Sequence, residues 1–90
     1  MIPDEVKARF EAADGGRNGK IWAGANQTFR KILNGEAKVV LIADNTKPPE
    51  IVLPLVNEIK HKKIEMHYGT KEEIGRLAKC PRHAAAACIV

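Results

Sequence analysis

Asn26, Gln27 and Arg30 are the residues whose types and spacing best fit a chemical role. They follow Gly24, and Asn26 and Arg30 are four residues apart. If this segment is helical, the spacing places two amides and a guanidinium within one turn of an exposed stripe. Such a trio can read base edges and hold a phosphate, so the pattern indicates recognition of nucleic acid.

The start of the same helix adds a second feature that favours an anionic partner. The first turn of a helix has backbone N–H groups without intrahelical partners, and it lies at the positive end of the helix dipole. Gly24 has no Cβ to hold an RNA backbone away from those groups. Two simpler interpretations stay open from these residues alone. Asn26 could be an N-terminal helix cap, and Gln27 and Arg30 could be solvated surface.

Two helices and one strong strand are predicted in the first half of the chain. The first helix has Pro3 in its first turn and ends at Gly15-Gly16, and the second runs from Gly24 to Gly35 after a short extended segment at residues 20–22. Their apolar stripes are Val6, Phe10 and Ala13 in the first helix, and Ala25, Phe29, Ile32 and Leu33 in the second. The run at residues 38–43 is typical of a central strand covered by helices on both faces.

The second half is predicted to contain a loop, two helices and two strands. Residues 44–49 form the loop, and Pro54 either kinks the third helix or marks its true start. The apolar residues of that helix are Ile51, Val52, Leu55, Val56 and Ile59. A half-buried strand has Ile64, Met66 and Tyr68 alternating with polar residues, Thr70 and Glu73 have capping-box spacing for a fourth helix, and residues 84–90 form the last strand. The fold class is α/β, a small sheet between helices in one domain over residues 1–90.

Composition and charge favour an RNA partner bound without an aromatic platform. Aromatic residues make up 4% of the chain, which argues against base stacking on its surface. The net charge is +4, with −2 through Asp14 and +6 in the rest of the chain, so the RNA-facing part is expected after the first helix. The run at residues 60–63 is either a solvated helix end or a wider RNA contact.

Several other classes of function are not predicted. Cys80 and Cys88 are expected to be reduced thiols in a cytosolic protein, and neither secretion nor a membrane span is predicted. Cys80 and His83 have the spacing of half a metal site, but no second ligand pair completes it. The chain also has no phosphate-binding glycine loop and no group that would orient a thiolate nucleophile. We therefore predict no metal, no cofactor, no small-molecule substrate and no enzymatic activity.

The order of several short motifs resembles a known family. These motifs are Gly-x-Asn-x-x-x-basic at residues 24–30, Gly-x-Ala-Lys at 35–38, Ile-Ala-Asp-Asn at 42–45, Glu-Ile-Gly at 73–75 and the closing alanine-rich strand. From about Lys20 to Val90 they are similar to the kink-turn RNA-binding family that contains the ribosomal proteins L7Ae and L30e. Residues 69–77 look more like the L30e branch of the large ribosomal subunit, whereas residues 24–26 look more like the L7Ae branch.

The resemblance implies a fold and a binding surface. The fold is a three-layer α-β-α sandwich with a small four-stranded mixed sheet, and the RNA surface is the start of the second helix with two flanking loops. Positions matching Asn26, Gln27 and Arg30 contact the sheared G·A pairs of a kink-turn in that family. Many members have Glu and Lys where this chain has Gln27 and Arg30. An amide can still accept a hydrogen bond from a guanine amino group, and Arg30 serves beside a phosphate at least as well as a lysine.

The predicted RNA-contacting residues combine these arguments. They are Gly24, Ala25, Asn26, Gln27, Arg30, Lys31, Lys38, Asn45, Lys47, Lys79, Pro81, Arg82 and His83. The expected function is that of a structural RNA-binding protein of the large ribosomal subunit in the cytoplasm, with ribosomal RNA and neighbouring ribosomal proteins as partners. Two alternatives are an L7Ae-like kink-turn protein of guide-RNA ribonucleoprotein particles and a protein-interaction module on the same fold.

Overall fold

The computed structural model describes residues 2–13, 20–80 and 82–90. In chain order the elements are α1 (Asp4–Ala12), β1 (Ile21–Ala23), α2 (Ala25–Leu33), β2 (Val39–Ala43), a short 3-10 helix (Pro49–Ile51), α3 (Leu53–Lys62), β3 (Glu65–Gly69), α4 (Lys71–Leu77) and β4 (Ala86–Ile89). This is the alternation of helices and strands predicted from the sequence. The first helix was predicted to continue to Gly15-Gly16, which lie outside the described residues, but it already ends at Ala12 because Ala13 has an extended backbone.

The strands form one mixed sheet in the order β1-β4-β2-β3. β4 is antiparallel to both of its neighbours, while β2 and β3 are parallel, with α3 as the crossover between them. Every residue of β2 is buried, which confirms the prediction of a central strand covered on both faces.

Two apolar clusters lie on opposite faces of this sheet, because successive side chains of a strand alternate between the faces. Val39 and Leu41 of β2 belong to the cluster that contains Phe10 of α1 and Ile74 of α4. Val40 of β2 belongs to the other cluster, which contains the buried residues of α2 and α3. The predicted three-layer α-β-α sandwich is therefore confirmed.

All four helices begin at the same end of the sheet. The helices α2, α3 and α4 each follow the end of a strand, and β1, β2 and β3 run in the same direction. Before α1, Ile2 packs against Gly69 at the end of β3, whereas Arg9, near the end of α1, forms an ion pair with Glu65 at the beginning of β3. We call the edge where the helices begin the helix-start end, and the opposite edge the far end.

The buried side of α2 differs from the prediction. Leu33 was expected in the apolar stripe but is 48% exposed, whereas Thr28, not part of the predicted stripe, is fully buried. The buried line follows the i, i+4 pair of Thr28 and Ile32, with Phe29 partly buried beside it. Leu33 is the last residue of the helix and lies beyond the helix–sheet contact.

The start of α3 resolves the alternative left open by Pro54. The helix begins at Leu53 with Pro54 in its first turn, where a missing N–H costs nothing. Ile51, predicted within this helix, belongs to the preceding 3-10 helix and is exposed. The interpretation of Pro54 as the start of the helix is confirmed, and the alternative of a kink is wrong.

The edge strand β3 also differs from its predicted pattern. Ile64 and Met66 pack against the α2–α3 cluster as expected, but Tyr68 is 42% exposed. β3 is an outer strand of the sheet, so the helices do not cover its end. The last strand is shorter than predicted at Ala86–Ile89, although Ala84 is buried before it.

Two further observations concern the described part of the chain. Both cysteines are free, Cys88 buried and Cys80 partly exposed, as predicted. None of the described helices combines the length and apolar character that crossing a membrane requires.

Candidate nucleic-acid interface

Gly24 has the backbone conformation that starts α2. Its φ of 100° is one that residues with a Cβ rarely adopt, while its N–H donates to the Ala86 carbonyl at 2.8 Å and its carbonyl accepts from Thr28 N–H at 3.0 Å. A Cβ built on Gly24 would meet no atom within 4 Å. The positive φ is therefore the reason for glycine here, and the open space leaves the first turn of α2 bare.

Asn26, Gln27 and Arg30 lie exposed on α2. Gly24 is the N-terminal cap residue, and no side chain in the described part of the chain caps the helix, so the interpretation of Asn26 as a cap is wrong. Within the described residues, none of these three side chains takes part in a hydrogen bond or an ion pair. The trio is therefore available to a ligand.

The ends of the strands bring two loops and the start of α4 to the same edge as Gly24. Ala43 N–H donates to the Ala85 carbonyl at 2.8 Å, and Asp44 N–H donates to the Gly69 carbonyl at 2.9 Å. Ala84 N–H donates to the Lys71 carbonyl at 3.1 Å. The segments after β2, before α4 and before β4 thus line the helix-start end together with α2.

Asn45 holds the loop after β2 against α4. Its Oδ1 accepts from Lys71 N–H at 2.8 Å, and its Nδ2 donates to Glu72 Oε1 at 3.0 Å. This hydrogen bond from Asn45 holds the pKa of Glu72 below its usual value. Because the amide is already used within the protein, Asn45 fixes the position of the loop, and Lys47 is left exposed within it.

Arg82 and His83 are exposed beside α4, and Gly75 is the reason that they lie so close to it. A Cβ built on Gly75 would overlap the carbonyl oxygen of Arg82 and would lie 3.1 Å from His83 Cα. Only a residue without a side chain allows the two backbones to meet at this distance. Pro81, predicted in the same loop, lies outside the described residues.

Three of the predicted contact residues are used or placed elsewhere. Lys79 Nζ donates to the carbonyls of Glu11 and Ala13, at 3.3 Å from the Glu11 oxygen, so it caps the end of α1. Lys31 Nζ lies 4.3 Å from the centroid of the Trp22 ring and 3.2 Å from Glu36 Oε2. Lys38 precedes β2 at the far end, about 20 Å along the strand direction from Asp44.

The interface also contains a cation that the sequence pattern did not single out. Lys71 is the first residue of α4 and is half-buried at the helix-start end. The capping-box spacing of Thr70 and Glu73 could have predicted the position of Lys71. Thr70 is the cap, and its Oγ1 accepts from Glu73 N–H at 3.1 Å, which places Lys71 in the first turn.

The charges at this edge are mixed, because Lys47, Lys71 and Arg82 lie there with Asp44, with Asp4 and Glu5 in the first turn of α1, and with Glu72 and Glu73 in the first turn of α4. Arg30 lies in the last turn of α2. The four helix starts add positive partial charge from unpaired N–H groups. The first turn of α2 itself contains no acidic residue, so an anion that approaches it meets the unpaired N–H groups without a carboxylate from the same turn. The described residues contain no group of three or more His, Cys, Asp or Glu side chains that could hold a metal ion.

The fold and this edge define a class of small three-layer α/β proteins with an exposed, uncapped helix start. Residues 8–90 match the model of the Ribosomal protein L7Ae/L30e/S12e/Gadd45 family, which is nearly the whole chain. The chain belongs to this family, and the resemblance predicted from the motifs is confirmed.

Two relatives show the extent of the similarity. The Large ribosomal subunit protein eL8 of Thermoplasma volcanium is 39% identical over 56 residues, which are 62% of this chain and 46% of eL8. The solved structure of the Giardia lamblia 15.5kD RNA binding protein has a TM-score of 0.72 and 31% identity, and the match covers 78% of this chain and 59% of that protein. This chain thus spans about half the length of the curated relative that it matches.

Proposed function

We propose that this protein is a non-enzymatic RNA-binding protein of the large ribosomal subunit that recognises a kink-turn or a similar bent RNA. The observation that carries the proposal is the exposed side of α2, where Asn26 and Gln27 follow the bare backbone of Gly24 and Arg30 lies one turn further along, none of the three paired within the described residues. The relatives support it, since one is named as a large-subunit protein and the other as an RNA-binding protein. The location would be the ribosome, in the cytoplasm, with ribosomal RNA and neighbouring ribosomal proteins as partners.

Each part of the interface would have its own task. The bare first turn of α2 and the Arg30 guanidinium would hold phosphate oxygens, which fixes the position of the RNA but reads no sequence. The amides of Asn26 and Gln27 would bond to base edges, since each has donors and an acceptor. Lys47, Lys71, Arg82 and His83 would flank the RNA from the two loops and α4.

The mechanism would be stabilisation of one RNA shape. A kinked RNA is one member of an ensemble, and a protein that contacts that geometry better than the straight form shifts the population toward it. The shift is limited by the difference in affinity for the two forms. A rigid protein surface suits this task, and Asn45 and Gly75 hold the two loops to α4 in a fixed arrangement.

The experiment compares a kink-turn RNA with the same RNA in which Watson–Crick pairs replace the G·A pairs, at two salt concentrations. We expect a large loss of affinity on replacement that persists at the higher salt concentration, because base contacts depend less on counterion release than phosphate contacts do. Equal affinity for the two RNAs would refute shape recognition and would favour the protein-interaction module.

A second candidate is a kink-turn protein of guide-RNA ribonucleoprotein particles. The Giardia protein, which is named as an RNA binding protein, supports RNA binding by this fold and is consistent with either candidate. Tight binding to an isolated kink-turn RNA would support it. Stable association only with ribosomal RNA in the large subunit would support the first candidate.

A further inference from the structure

The far end of the molecule has a second concentration of positive charge, opposite the α2 surface. Five exposed lysines lie there, which we call the far-end lysine surface: Lys20, Lys38, Lys60, Lys62 and Lys63. Lys20 and Lys38 come directly before β1 and β2, and the other three form the last turn and the cap of α3.

The sheet register determines how these lysines are arranged. Val90 N–H donates to the Lys20 carbonyl at 2.9 Å, and Lys38 N–H donates to the Ile89 carbonyl at 2.7 Å. One strand separates Lys20 from Lys38, so their backbones are about 10 Å apart. Val39 pairs with Glu65 in the parallel ladder, so Ile64, the residue after Lys63, is about 5 Å from Lys38. The lysines therefore form a row across the sheet end.

The end of α3 lies at the same edge of the sheet as Lys20 and Lys38. The last turn and cap of α3, which contain Lys60, Lys62 and Lys63, lead into β3, and β3 pairs with β2. Lys20 and Lys38 come directly before β1 and β2 at that edge. The five lysines therefore share the far end of the sheet.

These ammonium groups are not neutralised by acids in the described part of the chain. None of the five forms an ion pair or a side-chain hydrogen bond there. Of the three acids that lie two residues from a lysine of the row, two are already paired, Glu36 with Lys31, and Glu65 with Arg9 and His67. Glu58, one turn before Lys62, is half-buried on α3.

Stabilisation of a helix end explains only part of this surface. Lysines in the last turn of α3 interact favourably with the negative end of the helix dipole. Lys20 and Lys38, however, precede strands, and sheets have only small net dipoles. Their position beside the α3 lysines therefore points to an external anion.

We propose that the far-end lysine surface binds the phosphate backbone of a second RNA segment in double-stranded form, so that the protein joins two RNA segments from opposite ends of its sheet. Lysine is a flexible point charge that contacts phosphates without reading bases. Trp22, the aromatic residue of β1, is half-buried with Lys31 over its ring, so the surface offers no platform for unstacked bases. A duplex backbone fits these properties, and this second site goes beyond the bent-RNA surface proposed above.

The test measures binding of a plain, blunt RNA duplex to the whole protein, alone and after saturation with unlabelled kink-turn RNA. We expect the duplex to bind in both cases and a complex with both RNAs to form. The variant Lys38→Gln/Lys60→Gln/Lys62→Gln should lose duplex affinity by roughly tenfold or more, and its salt dependence should flatten by about 2 to 3 in slope. Its affinity for the kink-turn RNA should be unchanged.

A matched variant controls for net charge. Lys47→Gln/Arg76→Gln/Arg82→Gln removes the same amount of charge from exposed cations that lie away from the far end and have no ion pair among the described residues, and it also lowers the net charge from +4 to +1. Equal loss of duplex binding in both triple variants would overturn the far-end site, as would complete exclusion of the duplex by kink-turn RNA. Because the duplex is also measured alone, failure of kink-turn binding would refute the proposed function without deciding this one.

Discussion

At the scale of single residues, the amides of Asn26 and Gln27 differ from the amide of Asn45 in having no hydrogen-bond partner among the described residues. Asn45 is bonded to Lys71 and Glu72, so its amide serves the protein itself. Arg30 has neither an ion pair nor a side-chain hydrogen bond among the described residues. A change at Arg30 should therefore affect binding far more than folding.

Replacing Arg30 by alanine is expected to weaken RNA binding and to flatten its salt dependence by about 1 in slope, because one phosphate contact is lost. The measurement is the affinity for kink-turn RNA over a series of salt concentrations. Arg76→Ala, which removes an exposed arginine from α4, is the matched control and should leave the slope unchanged. Equal slopes for the wild type and Arg30→Ala would contradict the role of this residue.

The thiol of Cys88 is expected to make stability depend on pH in the alkaline range. Burial raises its pKa from 9.0 to about 11, so the folded protein keeps the proton while the unfolded chain releases it. The free energy of unfolding contains the full contribution of Cys88 below pH 9.0. It falls by about 2 kcal/mol as the pH rises to about 11. Urea unfolding across this range should show the loss in the wild type.

The control for this effect is Cys88→Ala. Its free energy of unfolding should fall less steeply with pH in the alkaline range, because the contribution of Cys88 is absent. In the native protein a thiol reagent should react with the partly exposed Cys80 and not with buried Cys88. Identical alkaline slopes in the two proteins, or reaction of both thiols without unfolding, would contradict the assignment.

The sequence predicted the exposed trio because helical spacing alone decides which residues share a face. It did not predict that Asn45 and Lys79 serve the fold. Asn45 contacts α4 and Lys79 contacts the end of α1, and both contacts join segments far apart in the chain. No local pattern encodes such a contact, so a polar loop residue that binds RNA and one that binds its own backbone look alike in sequence.

At the scale of elements, α4 organises the helix-start end. The Asn45 side chain bonds the loop after β2 to α4. The loop before β4 packs directly on α4 because Gly75 has no side chain. Sequence patterns did locate α4, since Thr70 of the predicted capping box caps the helix by accepting from Glu73 N–H. The two loops could not be placed in the same way, because their positions follow from the strand order.

Gly75→Ala should destabilise the protein by about 1–3 kcal/mol and weaken RNA binding, because the new Cβ overlaps a backbone carbonyl that has no rotamer to change. Thermal unfolding and kink-turn affinity are the measurements. Gly35→Ala is the control. A Cβ on Gly35 would contact no described atom within 4 Å, so the loss of stability comes from its φ of 75° alone. RNA binding should be retained in this variant. Full stability in Gly75→Ala would show that the loop does not depend on this contact.

Asn45→Ala is expected to release the loop after β2 and to lower stability by about 1 kcal/mol through the lost hydrogen bond to Lys71 N–H. The pKa of Glu72 should rise toward its ordinary value of 4.5, which an NMR titration of the carboxyl can follow. Because the pKa of Glu72 is lower in the folded protein than in the unfolded chain, the ionised carboxylate stabilises the wild-type fold above pH 4.5. This stabilisation is lost as the pH falls below that value.

Thr70→Ala distinguishes the two expected effects of Asn45→Ala, which are lower stability at the start of α4 and release of the loop after β2. It removes the cap hydrogen bond to Glu73 N–H and so weakens the same helix start, but it leaves the loop attached through Asn45. RNA binding should fall in Asn45→Ala and persist in Thr70→Ala. An unchanged Glu72 pKa in Asn45→Ala would contradict the assigned cause.

At the scale of the whole molecule, the two faces of the sheet are joined by strands that contribute alternately to both clusters. We therefore propose that residues 1–90 unfold as one domain, in a single two-state transition. Trp22 fluorescence reports on β1 and α2, while far-ultraviolet circular dichroism reports on all four helices. The two signals should have the same urea midpoint, and separate midpoints would show that part of the chain unfolds independently.

The position of β4 has a consequence for how the chain reaches this structure. Although β4 comes last among the four strands, it lies between β1 and β2, and it is the strand with which β1 pairs. Contacts between β1 and β4 join residues 21–23 with residues 87–89, so the contact order of the sheet is high and folding is correspondingly slow. During synthesis β1 has no sheet partner until residues 86–89 emerge. Until then β1 and β2 have open edges available to other chains, so ribosome-bound intermediates of this protein require protection from aggregation.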